Sequence, residues 1–555
     1  MREVATSSDT RAGPKKADKD RRRWWGLVFI SLAVAMVIVD VTIINIAVPA
    51  IVSDLRVGST TTQWIQEAYT LTLAALLLSS GRLADLFGRR RLLLAGILVF
   101  VVGSVVAAVA AGGAMLVGAR VIQGIGGAAI LPTTLSIINA TFRGRERATA
   151  FAVWGSTIGA VAALGPLLGG WLVGHFSWHW AFWINVFLGA IVTAGIVRWV
   201  GESRDAEGPR GVDVLGVGLS ALAVAALVFG LIEGRGEGWF TALGGDGVLG
   251  SGLSPVPMAF GLSLGALLCF ARWQRRRRRL RRSVVLDVSL FKIKTFAQGN
   301  LVVMVVALGQ LGLLFVLPLW LQNVLGYSPL RAGAMITAVA IGAFVAAGVT
   351  PALAPRWGVP AVLRIGLVAE IAAFAVLAVS ATPDASAWAI VPALTLYGFG
   401  VGTADAQLPS LILSDVPAAG SGQAAGTQGT AQEIGSAMGV AILGTLLFSM
   451  LSFHLDERLA DAGVAADRRG PISEAVVGSA GTVIPAIPDL PVRRAAEEAF
   501  SAATRDAALA GGIVIILGLI STSVFRRRPV PGDAGDGVRS DDAGPASGDQ
   551  PDPPR

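Results

Sequence analysis

Asp40, Glu67, Arg120, Asp405 and Glu433 each interrupt an apolar segment, and their types suit one kind of chemistry, the binding and release of protons inside a membrane. An ionisable group within a membrane span is costly, so it marks an ion or substrate pathway by default. A carboxyl group that alternates between a sealed and a wetted environment takes up a proton on one side and releases it on the other. Asp40 is the first choice for that carrier, with Glu67 and Arg120 as its partners in proton coupling. Asp405 and Glu433 are expected to attract a cationic substrate or to close a gate, together with the polar span residues Asn45, Gln123 and Gln310. Structural alternatives stand beside each reading: Asp40 as one end of a helix-helix hydrogen bond, Glu67 as a solvated residue near a membrane face, Asp405 and Glu433 as hydrated cavity lining.

The elements that carry these residues are apolar segments long enough to span a bilayer, which takes about 20 residues. Such segments lie near 24–50, 63–82, 91–111, 114–138, 149–172, 180–200, 212–232, 254–273, 296–322, 332–352, 361–381, 388–411, 428–452 and 506–526, fourteen in all. The gaps that follow even-numbered spans hold Arg89 to Arg91, Arg143, Arg145, Arg147, Arg204, Arg210, Arg275 to Arg279, Arg281, Arg282, Lys292, Lys294 and Arg356, whereas the short opposite gaps hold Arg56, Arg235 and Arg331. Basic loops stay in the cytoplasm, so both termini are expected there. At about 1.5 Å per residue, Asp40 lies roughly 24 Å from the inner face, and Glu67 and Arg120 lie roughly 6 and 9 Å below the outer face, so the three can share one layer. Asp405 and Glu433 fall in the inner half.

With 54% hydrophobic and 15% charged residues and a mean hydropathy of +0.66, a chain of 555 residues is too apolar for a soluble protein. The formal charge of +8 sits in short clusters between apolar runs and follows topology, so nucleic acid is not an expected partner. The single cysteine, Cys269, excludes an internal disulfide framework and a cysteine-based metal cluster. The three histidines, His175, His179 and His454, form no catalytic set with Ser or Cys. His175 and His179 have a metal-compatible spacing, but Trp178 and Trp180 around them read as an aromatic belt. No phosphate-binding loop of the Gly-x-x-x-x-Gly-Lys-Ser/Thr type is present, so the energy source is an ion gradient; neither enzymatic activity nor a cofactor is expected.

Between the second and third spans stands Gly81-Arg82-Leu83-Ala84-Asp85-Leu86-Phe87-Gly88-Arg89-Arg90-Arg91. The glycines permit a sharp turn, the arginines hold it on the cytoplasmic side, and Asp85 is suited to cap a helix or pair with an arginine of a neighbouring helix. The run resembles the signature loop of the major facilitator superfamily, with Leu86 departing from its pattern. A weaker copy, Pro351-x-Leu353-Ala354-Pro355-Arg356-x-Gly358, follows at a constant offset of 270 residues. Two corresponding sets of six spans result, with spans 7 and 8 as an inserted pair.

Three further runs extend the resemblance. Arg120-x-x-Gln123-Gly124, followed by small residues, is similar to the superfamily's second motif and implies that Arg120 tunes a proton-binding carboxylate or orders the interface of helices 1 and 4. Its glycines read as close helix packing, not as a nucleotide loop. Gly165-Pro166-Leu167-Leu168-Gly169-Gly170, after Gly155 and Gly159, resembles the motif found mainly in exporters, with Val161 in place of an expected glycine. Asp40-x-Thr42-x-x-Asn45-x-Ala47-x-Pro49 resembles the pattern of the fourteen-span drug:proton antiporters, and Glu433-Ile434-Gly435 in helix 13 carries the likeness into the second half.

The expected fold is therefore an all-α polytopic membrane protein of the major facilitator type. It comprises a disordered cytoplasmic tail (1–23), a six-helix bundle (24–200), inserted helices 7 and 8 with a basic linker (201–295), a second six-helix bundle (296–526, with an outer loop 453–505) and a disordered tail (527–555). The expected function is export of amphipathic compounds, cations included, in exchange for protons, by a monomer in a bacterial plasma membrane. A proton-coupled importer of a metabolite and a non-transporting scaffold or receptor are the competing readings. The run Arg275–Arg282 is an expected contact for anionic lipid, with a topology anchor as the plainer reading.

Overall fold

A computed structural model describes residues 14–57, 59–204, 211–234, 238–241, 253–417 and 420–524. The described residues form helices joined by short turns: α1 (Pro14–Leu55), α2 (Ser59–Phe87), α3 (Arg89–Ala108), α4 (Gly113–Thr141), α5 (Gly144–His175), α6 (Trp180–Trp199), α7 (Val214–Glu233), α8 (Pro255–Arg279), α9 (Lys294–Asn323), α10 (Pro329–Trp357), α11 (Val359–Ser380), α12 (Ala387–Ile412), α13 (Ser421–Asp461), α14 (Ala466–Gly478) and α15 (Leu490–Ser521). In hydrocarbon every backbone polar group must be satisfied within the segment, which is why long apolar runs become helices. Their starts are set locally. Asp213, Ser254, Ser328 and Ser386 accept from backbone amides of the first turns of α7, α8, α10 and α12, and Pro255 and Pro329 follow the capping serines of α8 and α10.

Thirteen helices are long and apolar enough to cross a membrane by their described residues, and the 32-residue α5, packed between α1, α10 and α12, makes fourteen. The packing repeats. In the first half α1 contacts α5 and α6, α3 contacts α4 and α6, and α2 contacts α4; in the second, α9 contacts α13 and α15, α11 contacts α12 and α15, and α10 contacts α12. Each helix of the first half thus has a counterpart eight places later, with α15 standing for α6. The halves meet through α2 on α13 and α5 on α10, two contacts that exchange under the same correspondence.

The inserted pair α7 and α8 pack on each other, and α7 leans on both α2 and α13. They flank one seam between the halves, held by buried polar contacts such as Ser79 with Ser220 Oγ at 3.3 Å. Two expectations need correction. Helix α1 begins at Pro14, so residues 14–23 are helical where a disordered tail was expected; 1–13 and 525–555 lie outside the described residues. The stretch 453–505 is not a loop. α13 runs on to Asp461, α14 and a short 3-10 turn (Ile484–Ala486) follow, and α15 returns from Leu490. This helical cap buries Leu455, Leu459, Val476, Ile484, Val492 and Phe500 around itself, so apolar burial orders what charge content alone marks as loop.

Candidate proton and substrate site

Asp40, in the second half of α1, is 2% exposed and Arg120 of α4 is 1% exposed. Arg120 Nη1 donates to Asp40 Oδ2 and, at 2.9 Å, to Gln123 Oε1. The other carboxylate oxygen, Asp40 Oδ1, accepts from Gln123 Nε2 at 2.8 Å and Asn185 Nδ2 at 2.7 Å. Ser104 Oγ accepts from the same two amides at 2.8 and 3.3 Å. Arg120 Nε donates to the carbonyl of Ile65 at 3.1 Å, and its guanidinium lies 4.3 Å from the centre of the Tyr69 ring. Five helices therefore meet at one carboxylate: α1, α2, α3, α4 and α6.

An ion pair taken out of water stays favourable only when good geometry and further hydrogen bonds satisfy the remaining lone pairs and protons. Here both carboxylate oxygens are bonded, and the guanidinium has a carbonyl, an amide and an aromatic face besides the carboxylate. Glu67 sits on the turn of α2 between Ile65 and Tyr69 and is half-buried. Gln123, expected at a cavity or gate, lies in the interior of the first half, as a ligand of Asp40. The side chain of Asn45 lies outside the described residues.

Asp40 is positioned from α5. A Cβ placed on Gly165 would fall 1.8 Å from Thr42 Oγ1, and one on Gly169 would fall 3.2 Å from Ile43 Cα, so α5 reaches α1 closely just beyond Asp40. Towards its start, α5 leans on the other half, Gly155 against Ala406 of α12 and Gly159 against Ala343 of α10. One helix touches both the carboxylate's neighbours and the seam between the halves. Gly170 meets nothing within 4 Å, and the side chain of Pro166 lies outside the described residues.

A cavity of about 120 Å³ lies between the halves, lined by Ile38, Leu77, Trp154, Ile158, Asp405, Gln428, Gln432 and Glu433 among others. Asp405 and Glu433 are the acidic groups in that lining, one from α12 and one from α13. Gln310, also expected here, is instead buried within the second half, where its Nε2 donates to Glu370 Oε1 at 3.0 Å and its carbonyl accepts from Tyr397 at 2.8 Å. Glu370, in the middle of α11, is fully buried, and its second oxygen, Oε2, has no hydrogen-bond donor.

The signature run forms a latch where α2 ends. Asp85 is fully buried, accepts from Arg89 Nη2 at 2.9 Å, and accepts from the backbone amides of Gly422 and Gln423 at 3.1 Å each, at the start of α13. It does both things its sequence context suggested, pairing with an arginine of the next helix and capping a helix of the other half. Gly81 and Gly422 approach so closely that a Cβ on either would fall 2.1 to 2.2 Å from the other's carbonyl oxygen. Gly88 alone separates α2 from α3, at φ +103°, a conformation that side-chain-bearing residues rarely adopt. Arg90 Nη2 donates to the carbonyl of Val197 at 2.7 Å, and Glu202 accepts from the amides of Arg90 and Arg91 at 3.2 and 3.3 Å.

Asn185, Ser104, Glu370 and Glu202 are the functional candidates the sequence reading missed. Asn185 is the lone amide of α6, Ser104 the lone hydroxyl of α3 and Glu370 the lone acid of α11. The rule that singled out Asp40 applies equally to Glu370. The histidines show no metal geometry: Trp178 stacks on His179 at 3.8 Å and Trp171 on His175 at 5.5 Å, and no cluster of metal-binding side chains occurs among the described residues.

Residues 30–440 match the Major Facilitator Superfamily. The chain belongs to that superfamily. It is 31% identical to the multidrug efflux pump LfrA of Mycolicibacterium smegmatis, over 93% of this chain and 98% of that protein. It is 32% identical to the tetracenomycin C resistance and export protein of Streptomyces glaucescens, over 85% of each. Among solved structures, the human organic anion transporter TETRAN shares the fold with a TM-score of 0.58 at 14% identity, covering 89% of this chain and 99% of that one. In superfamily terms, the Asp40 network lies inside the first half, the cavity lies between the halves, and the Asp85 latch closes one end of the seam.

Proposed function

We propose that this major facilitator exports amphipathic drugs or antibiotics, cations included, from a bacterial cell in exchange for protons, by alternating access. The observation that carries the reading is the Asp40–Arg120 pair, whose surroundings suit a reversible change of charge. A proton arriving at Asp40 Oδ2 displaces Arg120 from that oxygen, while Oδ1 keeps its donors Gln123 and Asn185. Arg120 keeps Gln123 Oε1, the Ile65 carbonyl and the Tyr69 ring, so neither group is stranded. Asp40 is the carrier, Arg120 its switching partner, and Glu67 a neighbour on the side from which α2 enters.

The change is passed on by α5. Its contacts with Thr42 and Ile43 at one end and with Ala343 and Ala406 at the other make it the mechanical link to rocking of the halves. Asp405 and Glu433 attract cationic substrate into the cavity, whose apolar walls accept varied shapes. The positions of the arginines support a cytoplasmic location for the Asp85 latch and for both termini. In that orientation the described conformation is closed to the cytoplasm. Each chain contains both halves, which supports action as a monomer. Export in place of import is supported by the relatives named for efflux and export.

The test is efflux of a fluorescent lipophilic cation from cells or inverted vesicles, comparing wild type, Asp40→Asn and Arg120→Ala at equal expression. Loss in both variants, with wild-type efflux abolished by collapse of the proton gradient, is expected. Full efflux by Asp40→Asn would remove Asp40 as the carrier. Gradient-driven accumulation of substrate in cells would establish the importer instead.

A further inference from the structure

We propose that the basic end of the molecule holds a binding site for a phosphate-bearing anion, supplied by the headgroup of an anionic phospholipid, that locks the Asp85 latch shut. The site is a second cavity, of about 710 Å³, framed by Arg82, Arg278, Arg281, Arg282, Asp287, Ser289 and Gln423 with neighbouring apolar residues. Four arginines face one carboxylate. Arg278 already lies 3.4 Å from that carboxylate, Asp287, whereas among the described residues neither Arg281 nor Arg282 has an acidic partner within 4 Å.

Three separate pieces of chain build the cavity. Arg82 comes from α2, where its guanidinium is buried to 5% exposure and donates from Nη2 to Ser283 Oγ at 3.2 Å. Arg281 and Arg282 follow the end of α8, where Arg281 takes φ +52° in the left-handed region. A non-glycine residue held there carries backbone strain, and such strain gathers at functional sites. The turn is fixed by Arg277, whose Nε donates to the Ser283 carbonyl at 2.7 Å and lies 3.4 Å from Asp213. The third piece is the start of α13, where Gln423 Oε1 accepts from the Asp287 amide at 2.8 Å while its own amide donates to Asp85. The cavity thus shares Gln423 with the latch, and the residue carrying Arg82 stands three places from Asp85.

Guanidinium groups bind phosphate through paired, charge-assisted hydrogen bonds, and several converging on one space match a phosphate better than a single carboxylate does. A membrane supplies such an anion at this height, because the arginines sit where α8 leaves the apolar layer and anionic headgroups concentrate beside basic segments. Bound there, the anion joins α2 of the first half to the start of α13 in the second. It therefore binds the closed latch more tightly than the open one and shifts the population towards the closed state. The site is independent of the compound transported and rests on the proposed cytoplasmic position of this end only for the leaflet that supplies the lipid.

The full chain, purified in a zwitterionic detergent, is titrated with short-chain phosphatidylglycerol, with short-chain phosphatidylcholine and with inorganic phosphate while its thermal stability is followed. Phosphatidylglycerol is expected to raise the midpoint saturably and phosphatidylcholine to leave it unchanged. Arg281→Ala/Arg282→Ala is expected to weaken the phosphatidylglycerol effect at least about tenfold, since charge-assisted bonds are lost. Arg275→Ala/Arg276→Ala, which removes two arginines of the same basic run outside the cavity, should leave it intact. Equal loss in both double variants, or no saturable shift, overturns the site in favour of a diffuse topology anchor. A saturable shift by inorganic phosphate with the same variant dependence, and none by phosphatidylglycerol, keeps the anion site but overturns the lipid as its source. The locking role is read separately, from slower labelling of a cysteine at Gln428 in vesicles containing phosphatidylglycerol; an unchanged rate overturns that role.

Discussion

Gly165 of α5 touches Thr42 of α1 where only a hydrogen fits, since a Cβ there would fall 1.8 Å from Thr42 Oγ1 and 2.6 Å from its Cβ. Thr42 follows Asp40 by two residues and its hydroxyl bonds back to the carbonyls of Ile38 and Val39 at 2.9 and 3.0 Å, so the contact presses on the segment that presents the carboxylate. Gly165→Ala should destabilise the protein by about 1–3 kcal/mol through overpacking and lower efflux at equal expression. Thr42→Ala should restore part of both in the double variant, because it removes the hydroxyl but not the Cβ. Thermal unfolding and efflux of the four proteins measure this, and equal defects in the single and double variants would refute the contact.

The Asp40–Arg120 pair predicts an asymmetric double-mutant cycle. Removing Arg120 leaves a carboxylate buried without its cation, and breaking a buried pair this way costs about 3–5 kcal/mol. Removing both charges costs less, because the remaining amides and hydroxyls bond one another. Arg120→Met should lower thermal stability strongly, Asp40→Asn less so, and the double variant should lie above Arg120→Met, while none of the three exports substrate. Additive losses of stability would mean that the two groups do not act as a pair.

The spans and the first half of the site are legible in the sequence because hydrocarbon forces long apolar helices and leaves each polar residue conspicuous. Asp40, Arg120 and Gln123 stood out in this way, but counting rise along three helices put only Asp40, Glu67 and Arg120 at one depth, and Gln123, assigned to a cavity or gate, was not foreseen as a ligand of Asp40. Asn185 and Ser104 escaped because a lone amide or hydroxyl is cheap enough in a span to pass as packing. Gln310 was misplaced because a single segment does not reveal which face turns to the cavity and which to α11. The helical cap at 453–505 was missed because its ordering depends on apolar contacts among α13, α14 and α15 that are scattered along the chain. The position of α7 and α8 against α2 and α13 has no local signature at all.

Asp85 caps α13 across the seam, so its loss should loosen one end of the molecule specifically. A side-chain cap contributes about 1–2 kcal/mol, or a change of roughly five- to thirtyfold in the open population. Asp85→Ala, on a Cys269→Ser background, should accelerate labelling of a cysteine at Gln428 by an impermeant thiol reagent added from the basic side of inverted vesicles. Gln428 lines the central cavity and is 1% exposed in the closed form. An unchanged labelling rate would show that the latch does not control access from that end.

The opposite end carries its own electrostatic tie. Asp384, in the turn before α12, is held by Arg494 of α15, with Nη1 at 3.2 Å from Oδ1, and the hydrogen bond from Arg494 is the chief reason its carboxyl titrates below the usual aspartate range. A carboxyl lowered by folding stabilises the fold above its unfolded value and ceases to do so as pH falls through the folded value. Asp384→Asn should therefore be slightly less stable than wild type at neutral pH, with the difference small because the pair is exposed, and the two should converge as pH falls through the lowered folded value of Asp384. A gap that widens on acidification would contradict the pairing.

Asp405 and Glu433 reach the cavity from α12 and α13, among walls that are otherwise largely apolar or amide, so charge selection and transport can be separated there. An uncharged amphipathic substrate gains from the apolar walls alone, at about 25 cal/mol per Å² of apolar surface removed from water, whereas a cation gains in addition from each carboxylate. Glu433→Gln and Asp405→Asn should reduce efflux of lipophilic cations while sparing neutral substrates of similar size, and the double variant should widen the gap. The stoichiometry of protons per neutral substrate should stay as in wild type, because Asp40 is the proposed carrier and, among the described residues, neither Asp405 nor Glu433 is hydrogen-bonded to its network. The decisive measurement is competition between a cationic and a neutral dye in the same proteoliposomes. Equal loss for both substrates would make the two carboxylates part of proton coupling and not of substrate choice, and would make the exporter's proton path run through the cavity itself.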